Sequence, residues 1–253
     1  MVRTRRVRAG AVTGVVAVLV GALAACGAEA GEDSDPEQRS FALQGRALTI
    51  DSDDSALELV PADVGEVRVT RWFAGRAVVG SAGVSWGMED DRLELRTKCR
   101  GFITSCSARH RVEVPRGVAV TVKSTDGSVT AKGFEEALRI STADGSVRVS
   151  DSSGPLEVDS EDGAVRAEGI EAPSVKARTE DGSVRLELRA VPDLLEARSA
   201  DGSVDIALPQ ETYRVTAESS DGSVDVSVPR DESSDHVVTA RTNDGSIKVR
   251  TAN

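Results

Sequence analysis

Seven copies of Asp-Gly-Ser-Val, or a near variant, recur at almost even spacing, and no other feature constrains the fold of this chain so tightly. They begin at Asp126, Asp144, Asp162, Asp181, Asp201, Asp221 and Asp244, in steps of 18, 18, 19, 20, 20 and 23 residues. A period of this length marks a stacked fold in which each repeat contacts only its neighbours. Fixed offsets around each Asp say what a repeat is made of. Two residues before it stands a hydroxyl: Ser124, Thr142, Ser160, Thr179, Ser199, Ser219 or Thr242. Four before it stands a small or branched apolar residue, from Val122 to Ala240, and three and five after it the chain is apolar again, as at Val184 and Leu186. Apolar residues two apart on each side of a turn specify two short strands per repeat, each with one buried face. Asp and Gly then read as the turn, with Gly supplying a positive φ and the Asp carboxylate bonding its own turn backbone.

An eighth, degenerate copy surrounds Asp54, where Leu48, Ile50, Ser52, Leu57 and Leu59 occupy the same inward offsets and Ser55 replaces the Gly. Two architectures share this parity: a solenoid of stacked coils, or a chain of hairpins turning at each Asp-Gly. Charges on the outward positions separate them. Stacking lines up Arg139, Glu157, Lys176 and Glu196 with alternating sign, and sets Asp159 beside Arg178, Arg198 beside Glu218, and Glu218 beside Arg241. Hairpin pairing would place Glu157 against Glu168, Arg178 against Arg185 and Arg241 against Lys248, and like charges directly opposite are unfavourable. Stacking does leave Arg148, Arg166 and Arg185 in one column. The prediction is an all-β fold, a β-solenoid of about 18–20 residues per coil with two short strands in each. The hydroxyl column suits a ladder of side-chain hydrogen bonds beside the turn.

Residues 1–25 read as a processing signal rather than as structure. Arg3, Arg5, Arg6 and Arg8 precede a short apolar stretch, Ala11 to Ala22, and Leu23-Ala24-Ala25-Cys26 resembles a bacterial lipobox. That resemblance implies a covalent diacylglycerol lipid on Cys26, the nucleophilic thiol, and cleavage before it. The Arg5-Arg6 pair is similar to a twin-arginine signal, although Arg8 and Ala9 stand where that signal has bulky apolar residues. Residues 26–46 are expected to form the lipidated Cys and an acidic flexible linker. Loss of the four leader Arg would take the formal net charge from −11 to −15. So acidic a surface argues against nucleic acid or anionic lipid as a partner, and leaves the lipid as the expected membrane link. Of three Cys, Cys99 and Cys106 then remain and close a short loop, which outside the cytoplasm reads as a disulfide.

Residues 47–115 are strand-rich but less regular. Alternation is clear from Glu66 to Trp72, from Arg92 to Arg96 and from Arg111 to Val114, and these segments are expected to form an irregular N-terminal β cap over residues 116–253. A solenoid end needs such a cover because a bare coil exposes open strand edges. No cap is evident at the other end, where Lys248 and Arg250 on the last strand would discourage end-to-end association. The segment Cys99…Cys106-Ser-Ala-Arg-His-Arg-Val-Glu-Val-Pro-Arg-Gly-Val, followed by repeated Ser/Thr-x-Asp-Gly-Ser-Val, resembles the DUF4097 family of bacterial β-strand-repeat proteins over about Leu48 to Asn253. The resemblance implies a right-handed, parallel β-helix-like solenoid, an adhesin-type role and, in many members, a lipoprotein. The family has Gly-Asp after the Ser/Thr where this chain has Asp-Gly-Ser.

Little else points to chemistry. Stacked Asp side chains about 4.8 Å apart would repel by roughly 1 kcal/mol per pair in water, which a bound Ca²⁺ would relieve. Local turn bonding explains the Asp better, since salt screens exposed repulsion and the glycine-rich nonapeptide calcium repeat is absent, so Asp126, Gly127, Asp144, Gly145, Asp162, Gly163, Asp181, Gly182, Asp201, Gly202, Asp221, Gly222, Asp244 and Gly245 are read as structural turns, with no metal. No catalytic residues and no cofactor beyond the lipid are expected. His110 and His236 sit in no nucleophile motif, and evenly spread acids build no cleft for a polysaccharide-active enzyme. Arg148, Arg166 and Arg185 offer a basic strip for an anionic glycan, and Trp72, Phe73, Trp86 and Phe102 suit packing within the cap. The expected protein is a monomeric lipoprotein on the extracytoplasmic face of the cell membrane. Its expected role is a non-catalytic structural or adhesin-like module contacting an envelope protein or cell-wall glycan; an accessory role in envelope-stress sensing is the alternative.

Overall fold

The computed structural model describes residues 35–252, and every regular element among them is a β-strand. The expected leader over 1–25, Cys26 and the residues up to 34 lie outside the described residues. In chain order the strands are β1 Glu37–Phe41, β2 Ala47–Ser52, β3 Ser55–Ala62, β4 Val67–Glu89 and β5 Arg92–Pro115. Seven pairs follow: β6 Ala119–Ser124 with β7 Val129–Lys132, β8 Leu138–Thr142 with β9 Val147–Ser150, β10 Leu156–Ser160 with β11 Val165–Ile170, and β12 Ser174–Arg178 with β13 Val184–Leu188. The last three are β14 Leu194–Arg198 with β15 Val204–Leu208, β16 Arg214–Ser219 with β17 Val224–Val226, and β18 Val237–Thr242 with β19 Ile247–Thr251.

Each pair is one coil, and successive coils stack in parallel register, as the charge columns require. Val120 pairs with Leu138, Glu157 with both Arg139 and Lys176, and Lys176 with Glu196. The degenerate copy is a true coil, because Leu48, Ile50 and Ser52 align with Val120, Val122 and Ser124, and Leu57 and Leu59 with Val129 and Ala131. The inward columns close a single core in which Ile140, Val149, Val175, Leu195, Ile206 and Val249 are wholly buried.

Coil order departs from chain order at both ends. At the far end β18 pairs with β14 on one side and β16 on the other, and β19 likewise lies between β15 and β17. The chain therefore steps over one level after β15, builds the outermost coil, and returns to fill the gap with its last coil. The step is made at Pro209 to Tyr213, where the fully buried Tyr213 donates its hydroxyl to the Pro209 carbonyl at 2.9 Å. The return is held by backbone bonds from Arg214 to His236 and from Val237 to Asp193. As a result Arg198 faces Arg241 rather than Glu218, while Glu218 meets Arg241 at 3.0 Å. Lys248 and Arg250 are not on the open edge; that edge is β16–β17, which carries Arg214, Glu218 and Asp225.

At the other end β2 and β3 lie inside the stack, between β6–β7 and β5. The first part of β5 runs along β2 and its last part along β3, so β5 is itself a coil with a long corner. β4 pairs antiparallel along β5 from Arg68–Glu113 to Glu89–Arg92, and β1 pairs antiparallel with β4. The cap is thus one continuous ribbon rather than irregular strands. The linker expected over 26–46 ends sooner than its composition suggests, because Glu37–Phe41 is a strand whose Phe41 packs into the core.

Candidate functional site

The Asp-Gly corner is structural, but by a different device from the one its sequence suggests. None of the seven repeat glycines has a positive φ. A Cβ on Gly182 would instead lie 2.2 Å from the carbonyl oxygen of Gly163 in the coil below, and one on Gly202 would lie 2.0 Å from that of Gly182. Glycine stacks on glycine because the coils approach too closely for any side chain. The hydroxyl two residues before the Asp makes the turn bond: the Gly182 N–H donates to Thr179 Oγ1 at 3.2 Å, and Thr179 donates to the Glu161 and Gly163 carbonyls of the coil below. Thr142, Ser160, Ser199, Ser219 and Thr242 repeat the pattern. The ladder runs from hydroxyl to backbone and leaves the Asp carboxylates outside it. Asp144 is fully exposed, and the neighbouring Asp126 carboxylate holds its pKa above the usual carboxylate range. Among the described residues no group of three or more His, Cys, Asp or Glu side chains is placed to hold a metal ion.

Arg148, Arg166 and Arg185 do come together. They are direct neighbours in the β9, β11 and β13 register and line a surface groove of about 430 Å³ with Ser128, Thr130, Ser146 and Ser183. Arg166 is paired with Glu168, and Arg185 lies 3.8 Å from Asp205. Along the column of β8, β10, β12 and β14, Arg139 bonds Glu157, while Arg178 and Arg198 both reach Glu196, at 3.3 and 2.6 Å.

A buried polar cluster in the cap carries no warning in its local sequence. His110 is wholly buried, with Nδ1 3.1 Å from Ser55 Oγ, and Ser55 is 2.7 Å from Ser52 Oγ. Burial, reinforced by the nearby Arg71 guanidinium, pushes the His110 pKa down to about 4, so the ring is neutral at neutral pH. Arg71 is itself buried, stacks over Trp86 at 4.0 Å and reaches Glu37. This His–Ser contact lacks what acyl-transfer chemistry needs. Ser55 is sealed from solvent, and among the described residues no carboxylate bonds the imidazole. His236 sits far away, its Nδ1 3.0 Å from the Pro192 carbonyl oxygen.

Cys99 and Cys106 form a disulfide, with Cα atoms 6.2 Å apart. They lie on one strand, so the bond shows that the ribbon folds back on itself: Cys99 pairs with Ala82 and Cys106 with Gly75. Gly80 and Gly101, directly opposite each other with φ of 132° and 131°, allow the bend, since a Cβ on either would meet the other strand's backbone at 2.0 Å or less. The aromatic residues divide. Trp86 packs on the core and Trp72 lies under Arg109, whereas Phe102 is 78% exposed at the bend, opposite Val79 at 68%.

The fold has a solved counterpart. A candidate adhesin from Bacteroides fragilis aligns with a TM-score of 0.50 at 13% identity, covering 89% of this chain and all of that one. A candidate cell adhesion protein from Clostridium sporogenes aligns with a TM-score of 0.34 at 8% identity, covering 86% of this chain and all of that one. No curated protein is significantly similar in sequence. The Toastrack DUF4097 profile matches residues 45–253, from the strand that opens the first coil through the last one, and the chain therefore belongs to the Toastrack DUF4097 family.

Proposed function

We propose that the chain is an extracytoplasmic, lipid-anchored rod that binds a polymer or protein of the cell envelope along its side and catalyses no reaction. The observation that carries this reading is the form of its concavities. The groove holding Arg148, Arg166 and Arg185 is a strip of sheet lined by the same offsets of successive coils, not a cleft walled by inserted loops. Such a strip presents guanidinium groups at the coil spacing of about 4.8 Å, which suits an extended anionic chain better than a compact substrate. The fold shared with a candidate adhesin supports a binding role, and the lipobox at Cys26 supports the anchor.

Two measurements test it. Cys26→Ala should move the protein from the membrane fraction to the medium. In the anchored protein, Arg148→Glu with Arg166→Glu should lower retention on isolated cell wall by about tenfold. Unchanged retention would remove the arginine strip from the reading, and a Cys26→Ala protein that stays processed and membrane-bound would remove the lipid.

A further inference from the structure

The folded-back ribbon differs from the rest of the molecule in charge. Residues 67–88 and 95–112, which make up most of β4 and β5, contain eight Lys and Arg and no Asp or Glu, in a chain whose formal charge is −11. Five of the eight are engaged within the cap: Arg68, Arg71, Arg96 and Arg111 with carboxylates, and Arg109 with Trp72. Near the bend Lys98 and Arg100 are exposed, and among the described residues neither makes an ion pair. The bend itself presents Val79 and Phe102, cross-strand partners and the two most exposed large apolar residues described. An apolar tip above a basic collar matches the profile of an anionic bilayer, with hydrocarbon beneath a negative surface.

Direction favours the same partner. β1 enters the fold at Glu37 opposite Arg71 and runs away from the bend, so its N-terminal end is the end nearer the bend. From Arg71 to Val79 is roughly 26 Å at strand spacing. The nine Cα steps from Cys26 to Asp35 span at most about 32 Å. An anchor on Cys26 would therefore bring the tip to the membrane without straining the tether. The disulfide pins the two layers of ribbon just behind the tip, and presents Val79 and Phe102 as a preformed wedge.

We propose that the tip of the β4–β5 ribbon inserts Val79 and Phe102 into the anionic bilayer that holds the protein, with Lys98 and Arg100 on the headgroups. This rests on the membrane-anchored reading above. The sequence alone argued against an anionic lipid partner because it averaged the charge of the whole chain, and the ribbon is the exception.

The test places a reporter at the tip. Full chain carrying Phe102→Trp is incorporated into phosphatidylcholine vesicles with or without phosphatidylglycerol, using lipids brominated along the acyl chain. Flotation reports whether the chain is on the vesicle, and quenching of the added tryptophan, relative to the parent chain, reports whether the tip is in it. We expect quenching and a blue shift only with phosphatidylglycerol, abolished by Val79→Asp and reduced more than about fivefold by Lys98→Glu with Arg100→Glu. Chain that floats with its tip unquenched would overturn the insertion and leave the anchor standing, pointing to a protein on the tip instead. Equal quenching without phosphatidylglycerol would overturn the role of charge. Chain that does not float would overturn both readings. Melting temperatures equal to the parent's check that the variants are folded.

Discussion

The repeat glycine shows how one residue type admits two explanations. An Asp-Gly pair in a sequence signals a turn that needs a positive φ, and here it marks the point where coils nearly touch. The consequence is measurable. Gly182→Ala asks only for a methyl group that positive φ would punish mildly, yet it must push two coils apart. It is expected to cost about 1–3 kcal/mol. Asp181→Asn, on an exposed carboxylate outside the hydroxyl ladder, should leave the melting temperature nearly unchanged. Equal melting temperatures would refute the close-approach role. A second residue links the cap to pH. His110 is neutral when buried and titrates near 4, whereas in the unfolded chain it titrates near 6.5. Between these values the unfolded chain binds the extra proton, so this contribution to stability is complete above pH 6.5 and is lost as pH falls toward 4. The total is on the order of 3 kcal/mol. Urea midpoints from pH 4 to 7 should fall less steeply in His110→Gln than in the parent chain.

At the scale of elements, the parity of each strand was legible and the order of the coils was not. The inward positions that the offsets assign, from Val120 to Val249, are buried or half-buried as expected except Val224, which is 43% exposed on the outermost coil, because a two-residue period leaves a strand no other way to hide its apolar side. Coil order has no such signature. Each coil offers the same inward apolar and hydroxyl columns, so β16 or β18 would fit on β14 equally well. The charges even favour the sequential order, which would pair Arg198 with Glu218. What decides is the connection: Tyr213, the chain's one tyrosine, fills the space beside the step from β15 to β16 and lies 6.3 Å from the His236 ring at the return. Tyr213→Ala is expected to cost about 3–5 kcal/mol and to loosen β16–β17 first, visible as faster amide exchange there than in β14–β15. Tyr213→Phe, losing only the bond to Pro209, should cost about 1 kcal/mol. The ribbon was half-legible. Its flanks alternate, but Gly75, Gly80, Gly83 and Gly87 interrupt the pattern in between, and the exposed Phe102 looks in sequence like any packed aromatic.

For the whole molecule, the arrangement of coils matters more than their number. A stacked-repeat protein is ordinarily weakest at its ends, where the first and last repeats have one neighbour each and can fray. Here the first coil, β2–β3, is covered by β5, and the last, β18–β19, is covered by β16–β17. Neither chain-terminal coil is at a physical end of the rod. A pull on the chain beyond β19 would have to break ladders on both sides of β18–β19 at once before that coil came free. The same enclosure sets a limit on assembly: the outermost coil, β16–β17, has no partner to lie on until β18–β19, which follow it in the chain, are in place.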